Sequence, residues 1–498
     1  MSSPLILAID QGTSSTKCLL VDEAARIVAQ GQVALGQQTP KPGWVEQDAD
    51  EIWNSVRRAV AVTVAPEAAG RVIAIGLSTQ RESCVIWDRR SGEALTPVLS
   101  WQDLRSEGLC ATLRQRGHGD LVRRKSGLPL DPMFSAAKAS WLLDAIDRDR
   151  ARARAGDLCI GTIDSFLLAR FGGEPIVEAG NASRMHLVDL DAGQFDDELC
   201  AIFETPRAAL PQIVASVGPF PAARGLAPLP DGVPIHAVMA DSHAALFAHG
   251  AFSPGPVKAT HGTGSSVMGV IDQRKLSEGA TLHPGLCRTI AWRIDTPVLA
   301  FEGNIRAAGS TLIWAADLLG VSVDELARLA ASVEDAAGVH LVPAFNGLGA
   351  PWWDGAAVAA LTGFTLGAGR PHAARAAFDS IALQITDVIE AVRASGLSVE
   401  RLLVDGGPTR NDRLMQIEAD LVGVPVVRAE AAELSALGVA HLAGLGAGLF
   451  TIEGLRKLDR AGAVFHPAIS EDLRRSRQSA WRRALARSRS GAGVPDSD

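Results

Sequence analysis

Cysteine is scarce and scattered. Its six residues, Cys18, Cys84, Cys110, Cys159, Cys200 and Cys287, form no CxxC pair and have no adjacent histidine. That spacing excludes a disulfide framework and a zinc motif, and predicts reduced thiols in a cytoplasmic protein. No charge-free apolar run approaches the roughly 18 residues of a membrane helix, so no membrane insertion is expected. The first residues lack a basic segment followed by a long apolar stretch, so no signal peptide is expected. Positive charge is in deficit, with 48 Lys and Arg against 56 Asp and Glu and a net charge of -8. This argues against broad nucleic-acid binding. No GxxxxGK[ST] occurs, which excludes the P-loop route to phosphate. Tyrosine is missing altogether, and nothing in the sequence explains it.

Apolar residues are plentiful, at 47% of 498 residues. A chain of this length exceeds what one core usually supports, so two large domains are expected. Short apolar runs at 5–9, 72–77, 85–87, 235–239, 257–259, 339–343 and 402–404 read as strands, with helical patterns between them. The class is therefore α/β. Asp48 followed by Glu51 predicts a capped helix start. Helices are also expected at 134–146, at 371–395 opening on Pro371, and at 411–422. Proline and glycine concentrate at 218–234, which reads as a linker. Seven arginines between 474 and 489 read as the solvated face of a terminal helix.

The stretch "LILAIDQGTSSTKCLLV" (5–21) sets Asp10, Gly12, Thr13, Ser14 and Lys17 between two apolar runs. "PVKATHGTGSSVMGVI" (256–271) repeats the pattern of strand, Gly-Thr turn with hydroxyls, strand. Either turn alone reads as a hairpin. Together, and with a carboxylate attached, they point to phosphate handling. A tight glycine turn presents backbone N–H groups to an anion, and a lysine adds compact positive charge. A carboxylate at a strand end can hold magnesium, which carries the phosphates. A third loop, "RLLVDGGPTRNDRLMQ" (401–416), leads from a strand through Gly407 to Asn411 at a helix start, where an anion is favoured.

Asp241 follows an apolar strand where the next helix begins. A carboxylate there reads either as a helix cap or as the general base of phosphoryl transfer to an alcohol. The adjacent Arg81 and Glu82 of "STQRES" offer a donor fork beside an acceptor, which suits a vicinal diol. An ordinary surface ion pair is the other reading. The histidines at 236, 243, 249, 261 and 283 match no zinc spacing. His243 reads as a pocket or packing residue.

These motifs, with "PKPGWVEQDADEIW", "WQDLRS", "SGLPLDPMFSAAKASWLLD", "FEGNIRAAGSTLIW", "GLGAPWWD" and "ELSALGVAHLAGL", run in order over about the whole chain. The set resembles the FGGY family of carbohydrate kinases, and within it the glycerol kinases. The resemblance implies two ribonuclease H/actin-type domains, 1–246 and 247–498, with ATP in the cleft between them. It implies Asp10 and Asp241 as magnesium residues, with Asp241 also the general base. Gly12, Thr13, Ser14 and Lys17 would meet the phosphates from one domain, and Gly262, Thr263 and Gly264 from the other. Gly309, Ile313, Gly407 and Asn411 would line the nucleotide. Arg81, Glu82 and Trp101 would grip the polyol.

The sequence departs from the glycerol kinase pattern at the outer pocket. Met133 stands where tyrosine is typical, Ser242 where glutamine is, Ser266 where a large aromatic is, and Ile313 where a polar residue is. The expected reaction is therefore ATP-dependent phosphorylation of a terminal hydroxyl of a small polyol, glycerol first. A larger polyol or ketose such as erythritol or xylulose is the alternative. The intact acids and turns rank an active enzyme above a retired regulatory relative. An actin- or chaperone-like ATPase would not need "QRES" or "WQD". Region 216–234 lacks a Gly-rich arginine loop, so sugar-bisphosphate regulation of that type is not expected. A homo-oligomer is left open.

Overall fold

The structure is a computed structural model describing residues 3–279 and 281–489. The first apolar run forms β1 (Leu5–Gln11), buried on both faces, as a central strand covered by helices must be. It pairs antiparallel with β2 (Ser15–Val21), which pairs antiparallel with β3 (Ile27–Ala34). On its other edge it pairs parallel with β4 (Val72–Thr79), and β4 with β5 (Ile235–Ala240). The sheet order is β5-β4-β1-β2-β3.

Helix Ala49–Thr63 covers one face. Its start is the expected one, with the Asp48 carboxylate accepting from the Glu51 N–H. Its Ile52, Val56 and Val60 join Leu5, Leu7 and Ile9 in one core cluster. The other face takes helix Leu434–Gly446, which packs on β1, β4 and β5 and against helix Asp241–Ala248. The approach is close. A Cβ at Gly76 would lie 2.5 Å from the Val439 carbonyl oxygen, and one at Gly438 would lie 1.8 Å from that of Ala244.

The chain forms two compact units. The first gathers the described residues of Met1–Gly250, Arg288–Leu299 and Glu433–Leu458, and the second those of Ala251–Cys287, Ala300–Ala432 and Asp459–Asp498. The stretch expected as a linker is not one. Ala223, Leu226, Leu229 and Val233 are buried in the core cluster of the first unit, and β5 follows directly. Proline and glycine there shape an irregular path through packed structure.

The second unit repeats the first unit's topology. Six strands of its main sheet are β6 (Gly255–His261), β7 (Ser265–Val270), β8 (Pro297–Ile305), β9 (Val399–Asp405), β10 (Val426–Ala429) and β11 (Ala461–Phe465). Within this seven-stranded sheet they run β8-β7-β6-β9-β10-β11, with β6–β7 and β7–β8 antiparallel and β6–β9 and β9–β10 parallel. The echo of the two Gly-Thr turns in the sequence is thus an echo of two hairpins, each with a parallel neighbour. Helix Arg370–Ala394 opens on Pro371 and helix Asp412–Val422 is capped by Asn411, as expected. The arginine-rich helix Glu471–Ala486 is more than a solvated face. Its Trp481 is buried and donates from Nε1 to Asp387 Oδ2 at 2.8 Å.

The contact at Gly438 makes a direct test. Gly438→Ala overpacks the helix pair and is expected to lower stability by about 1–3 kcal/mol, read as a lower denaturation midpoint at unchanged slope.

Candidate active site

Asp10 stands at the end of β1, in register with Lys17 on β2 and Ser78 on β4. Ser78 Oγ donates to Asp10 Oδ1 at 2.8 Å. Burial, and then the charge of Asp241, push the Asp10 carboxyl up to about 7, against the pull of Ser78 and Lys17. Lys17 is itself paired with Glu433 Oε2 at 2.6 Å.

Gly12, Thr13 and Ser14 form the β1–β2 turn, closed by a 3.0 Å bond from the Gly12 N–H to the Ser15 carbonyl. A cluster of glutamines braces it. Gln11 Nε2 donates to the Gly12 carbonyl and Gln47 Nε2 to the Thr13 carbonyl, each at 2.8 Å. Gln80 Nε2 ties both side-chain oxygens together. Trp101 lies over the same turn, its indole Nε1 donating to Thr13 Oγ1 at 3.0 Å. Thr16, on β2 just past the turn, faces inward to Ser55.

Asp241 opens helix Asp241–Ala248 as its first helical residue; the cap position is Ala240. The carboxylate is therefore not consumed as a helix cap in the ordinary way. Its Oδ1 lies 3.2 Å from Arg81 Nε. Arg81 and Glu82 are buried, and Glu82 holds a left-handed backbone with φ 60°. Such a conformation costs energy in a residue with a side chain and persists only where its surroundings over-determine it. Here they do. Arg184 Nε, fully buried, donates to Glu82 Oε1 at 2.8 Å, and Ser135 Oγ donates to the Glu82 carbonyl at 3.0 Å.

Met133 belongs to the loop that leads into helix Ser135–Ile146. Buried Lys138 closes this loop by donating to the carbonyls of Pro132, Met133 and Phe134. Ser242 is buried beside Asp241, and His243 is buried behind it.

In the second unit the β6–β7 turn holds Gly262, Thr263 and Gly264. The Gly262 N–H donates to the Gly264 carbonyl at 2.8 Å. Helix Gly309–Leu318 is stitched onto this turn at its start. The Gly309 N–H donates to the Gly262 carbonyl at 2.9 Å, and the Ala308 N–H to the Thr263 carbonyl at 2.8 Å. A Cβ at Gly309 would fall 2.5 Å from the Gly262 oxygen. After β9, Gly406 takes φ 99° and presses on β6, where a Cβ would sit 1.9 Å from the His261 oxygen. Gly407 has no atom within 4 Å of such a Cβ. Asn411 Oδ1 accepts from the Leu414 N–H. The turn, Gly309 and the 406–411 loop thus meet within this unit. Ile313 is 65% exposed on the outer side of its helix. Ser266 Oγ is directed to buried Glu302 Oε1 at 3.0 Å.

Sequence reasoning did not find Arg184, Lys138, Glu433 or the glutamine brace. Arg184 and Glu433 act across long sequence separations, as do Gln47 and Gln80, whereas Lys138 and Gln11 act on carbonyls within six residues but match no motif that marks them. Among the described residues no group of three or more His, Cys, Asp or Glu could hold a metal. Asp10 and Asp241, near enough for one to raise the other's pKa, remain as an oxygen donor pair suited to a hard divalent cation.

The sequence profile of the FGGY family of carbohydrate kinases, N-terminal domain, matches residues 5–248, and that of its C-terminal domain matches residues 257–447. The chain belongs to the FGGY family of carbohydrate kinases. Among curated relatives, a glycerol kinase of Aromatoleum aromaticum is 42% identical over 97% of this chain and 98% of its own. One of Dechloromonas aromatica is 42% identical over 98% of each. Among solved structures, Plasmodium falciparum glycerol kinase with ADP superposes with a TM-score of 0.89 at 29% identity, covering 98% of each chain. Xylulose kinase from Rhodospirillum rubrum gives 0.85 at 25%, covering 97% of this chain and 98% of its own. This FGGY chain is thus an ATP-dependent kinase with the family's α/β fold in two units.

The Arg184–Glu82 contact is testable without any assay of activity. Arg184→Met strands a buried carboxylate and is expected to cost about 3 kcal/mol of unfolding free energy. Adding Glu82→Gln to it should recover much of that loss, as read by denaturant titration of both variants.

Proposed function

We propose that the protein transfers the γ-phosphoryl group of ATP to a terminal hydroxyl of glycerol, giving glycerol 3-phosphate and ADP. The observation that carries this is the Asp241 carboxylate at a strand end, paired with Arg81 and close enough to Asp10 to raise its pKa. Near-full-length likeness to glycerol kinases supports the choice of acceptor.

Asp241 takes the proton of the attacking hydroxyl as its oxygen bonds to the γ-phosphorus and the bond to the ADP oxygen breaks. A carboxylate so placed suits a reaction in which positioning and charge stabilisation dominate. Arg81 and Glu82 hold the acceptor's other hydroxyls, one donating and one accepting. Their support is the rigid anchorage of Glu82 by Arg184 and Ser135. Trp101 walls the carbon chain and holds Thr13 through its indole N–H. Gly12, Thr13, Ser14 and Lys17 face the transferred phosphates. Gly262, Thr263, Gly264, Gly309, Gly407 and Asn411 cradle the nucleotide, and Ile313 offers it an apolar surface. Asp10 and Asp241 would hold magnesium, which when bound neutralises charge on the nucleotide's phosphates. Six buried, unbridged cysteines favour a reducing, cytoplasmic setting.

Asp241→Asn is expected to lower turnover about 100- to 10,000-fold. ADP binding, measured by calorimetry, should stay near the wild-type value. A variant keeping over about a tenth of wild-type turnover would exclude Asp241 as the base.

A second reading, a larger polyol or ketose, is favoured by the side chains at 133, 242 and 266. Two of them are serines, and Ser266 is turned to Glu302. Met133→Tyr, Ser242→Gln and Ser266→Phe together should raise kcat/KM for glycerol. Each hydrogen bond restored is worth about 0.5–1.5 kcal/mol. Steady-state kinetics on glycerol, erythritol and xylulose decide. If wild type already prefers glycerol and the triple variant loses it, the pocket is not enlarged.

A further inference from the structure

His261 is the last residue of β6 and directly precedes Gly262, yet the reaction outlined above assigns it no part. It is fully buried, as is Glu418 on helix Asp412–Val422. His261 Nε2 lies 3.1 Å from Glu418 Oε2, and its Nδ1 lies 2.9 Å from Ser265 Oγ. Ser265 is its register partner across the hairpin. The His261 backbone is also the surface on which Gly406 rests. One side chain therefore joins both ends of the 262–264 turn to the helix that Asn411 caps.

A buried ion pair is a poor choice for stability alone, because an apolar pair of equal volume does as well or better. What a charged pair adds is a fixed direction. We propose that His261 and Glu418 form a clasp that sets the 262–264 turn relative to the 406–411 loop, and so act as positioning residues for the nucleotide. This rests on reading that turn as a nucleotide site.

The clasp needs a protonated imidazole. Burial opposes the charge, but Glu418 and then Asp405 hold the His261 pKa above its ordinary value, against the smaller effect of Lys258. The sign follows. The clasp holds below the raised pKa and is lost as pH rises through it, so nucleotide affinity should fall on the alkaline side.

The test is KM for ATP and for glycerol from about pH 7 to 9.5, in wild type, Glu418→Gln and His261→Gln. Glu418→Gln is expected to raise KM for ATP about tenfold at neutral pH, leave KM for glycerol within about twofold, and flatten the alkaline rise. If either single variant fails to fold, the double variant with Gln at both positions, which buries no charge, carries the same measurement. An unchanged KM for ATP, or an equal rise for both substrates, overturns the clasp. Gly407→Val separates the two ideas, since a Cβ there meets no protein atom within 4 Å. If Gly407→Val also leaves KM for ATP and calorimetric ADP binding unchanged, the nucleotide reading itself fails. If it weakens both while the Glu418 and His261 variants do not, only the clasp fails.

Discussion

A run of alternating charge organises the first unit: Arg184, Glu82, Arg81, Asp241. The contacts along it are 2.8, 3.9 and 3.2 Å, and side-chain exposure rises from 0% through 4% and 9% to 35%. A buried charge is tolerable only when its neighbour compensates it. Each member therefore needs the next, and only the last carboxylate reaches solvent. The left-handed backbone of Glu82, the Ser135 bond and the Lys138-closed loop all converge on this line. Asp241 is aimed not by its own helix but by a chain of ions rooted in the core.

The same economy recurs at the turns. Both units end a strand in a Gly-Thr hairpin beside a parallel neighbour, so each turn projects from the carboxyl end of a strand with a second loop next to it. The peptide carbonyls at these turns are occupied by other parts of their own unit. Glutamine amides take those of Gly12 and Thr13, and backbone N–H groups take those of Gly262 and Thr263. A turn whose carbonyls are tied back is rigid. Rigidity is what an FGGY kinase needs where charge must be met without reorganisation.

Much of this was legible in the residues. β1 follows from five consecutive apolar residues. The helix at 49 follows from Asp48 and Glu51, the one at 370 from Pro371, and the one at 412 from Asn411. All are local signals, in which a side chain and the backbone it satisfies lie within a few residues. Asp10, Asp241 and the Gly-Thr turns were legible for the same reason, each being a polar break at the end of an apolar strand. The 218–234 stretch misled because proline and glycine report backbone shape and not burial. Its leucines are what dock it into the core.

By itself the sequence determined the elements, the turns between them and the identity of the reactive groups, because these depend on short-range sterics and hydrogen bonding. Only the tertiary structure decided which partners those groups would have. Lys17 meets Glu433, Glu82 meets Arg184, and His261 meets Glu418, across separations that no local pattern encodes. It also decided that Glu433–Leu458 folds back onto the first unit, where Gly76 and Gly438 leave room for the helix. Such pairings follow from close packing: two side chains become partners only when the sheets and helices carrying them have no other way to bury their apolar faces.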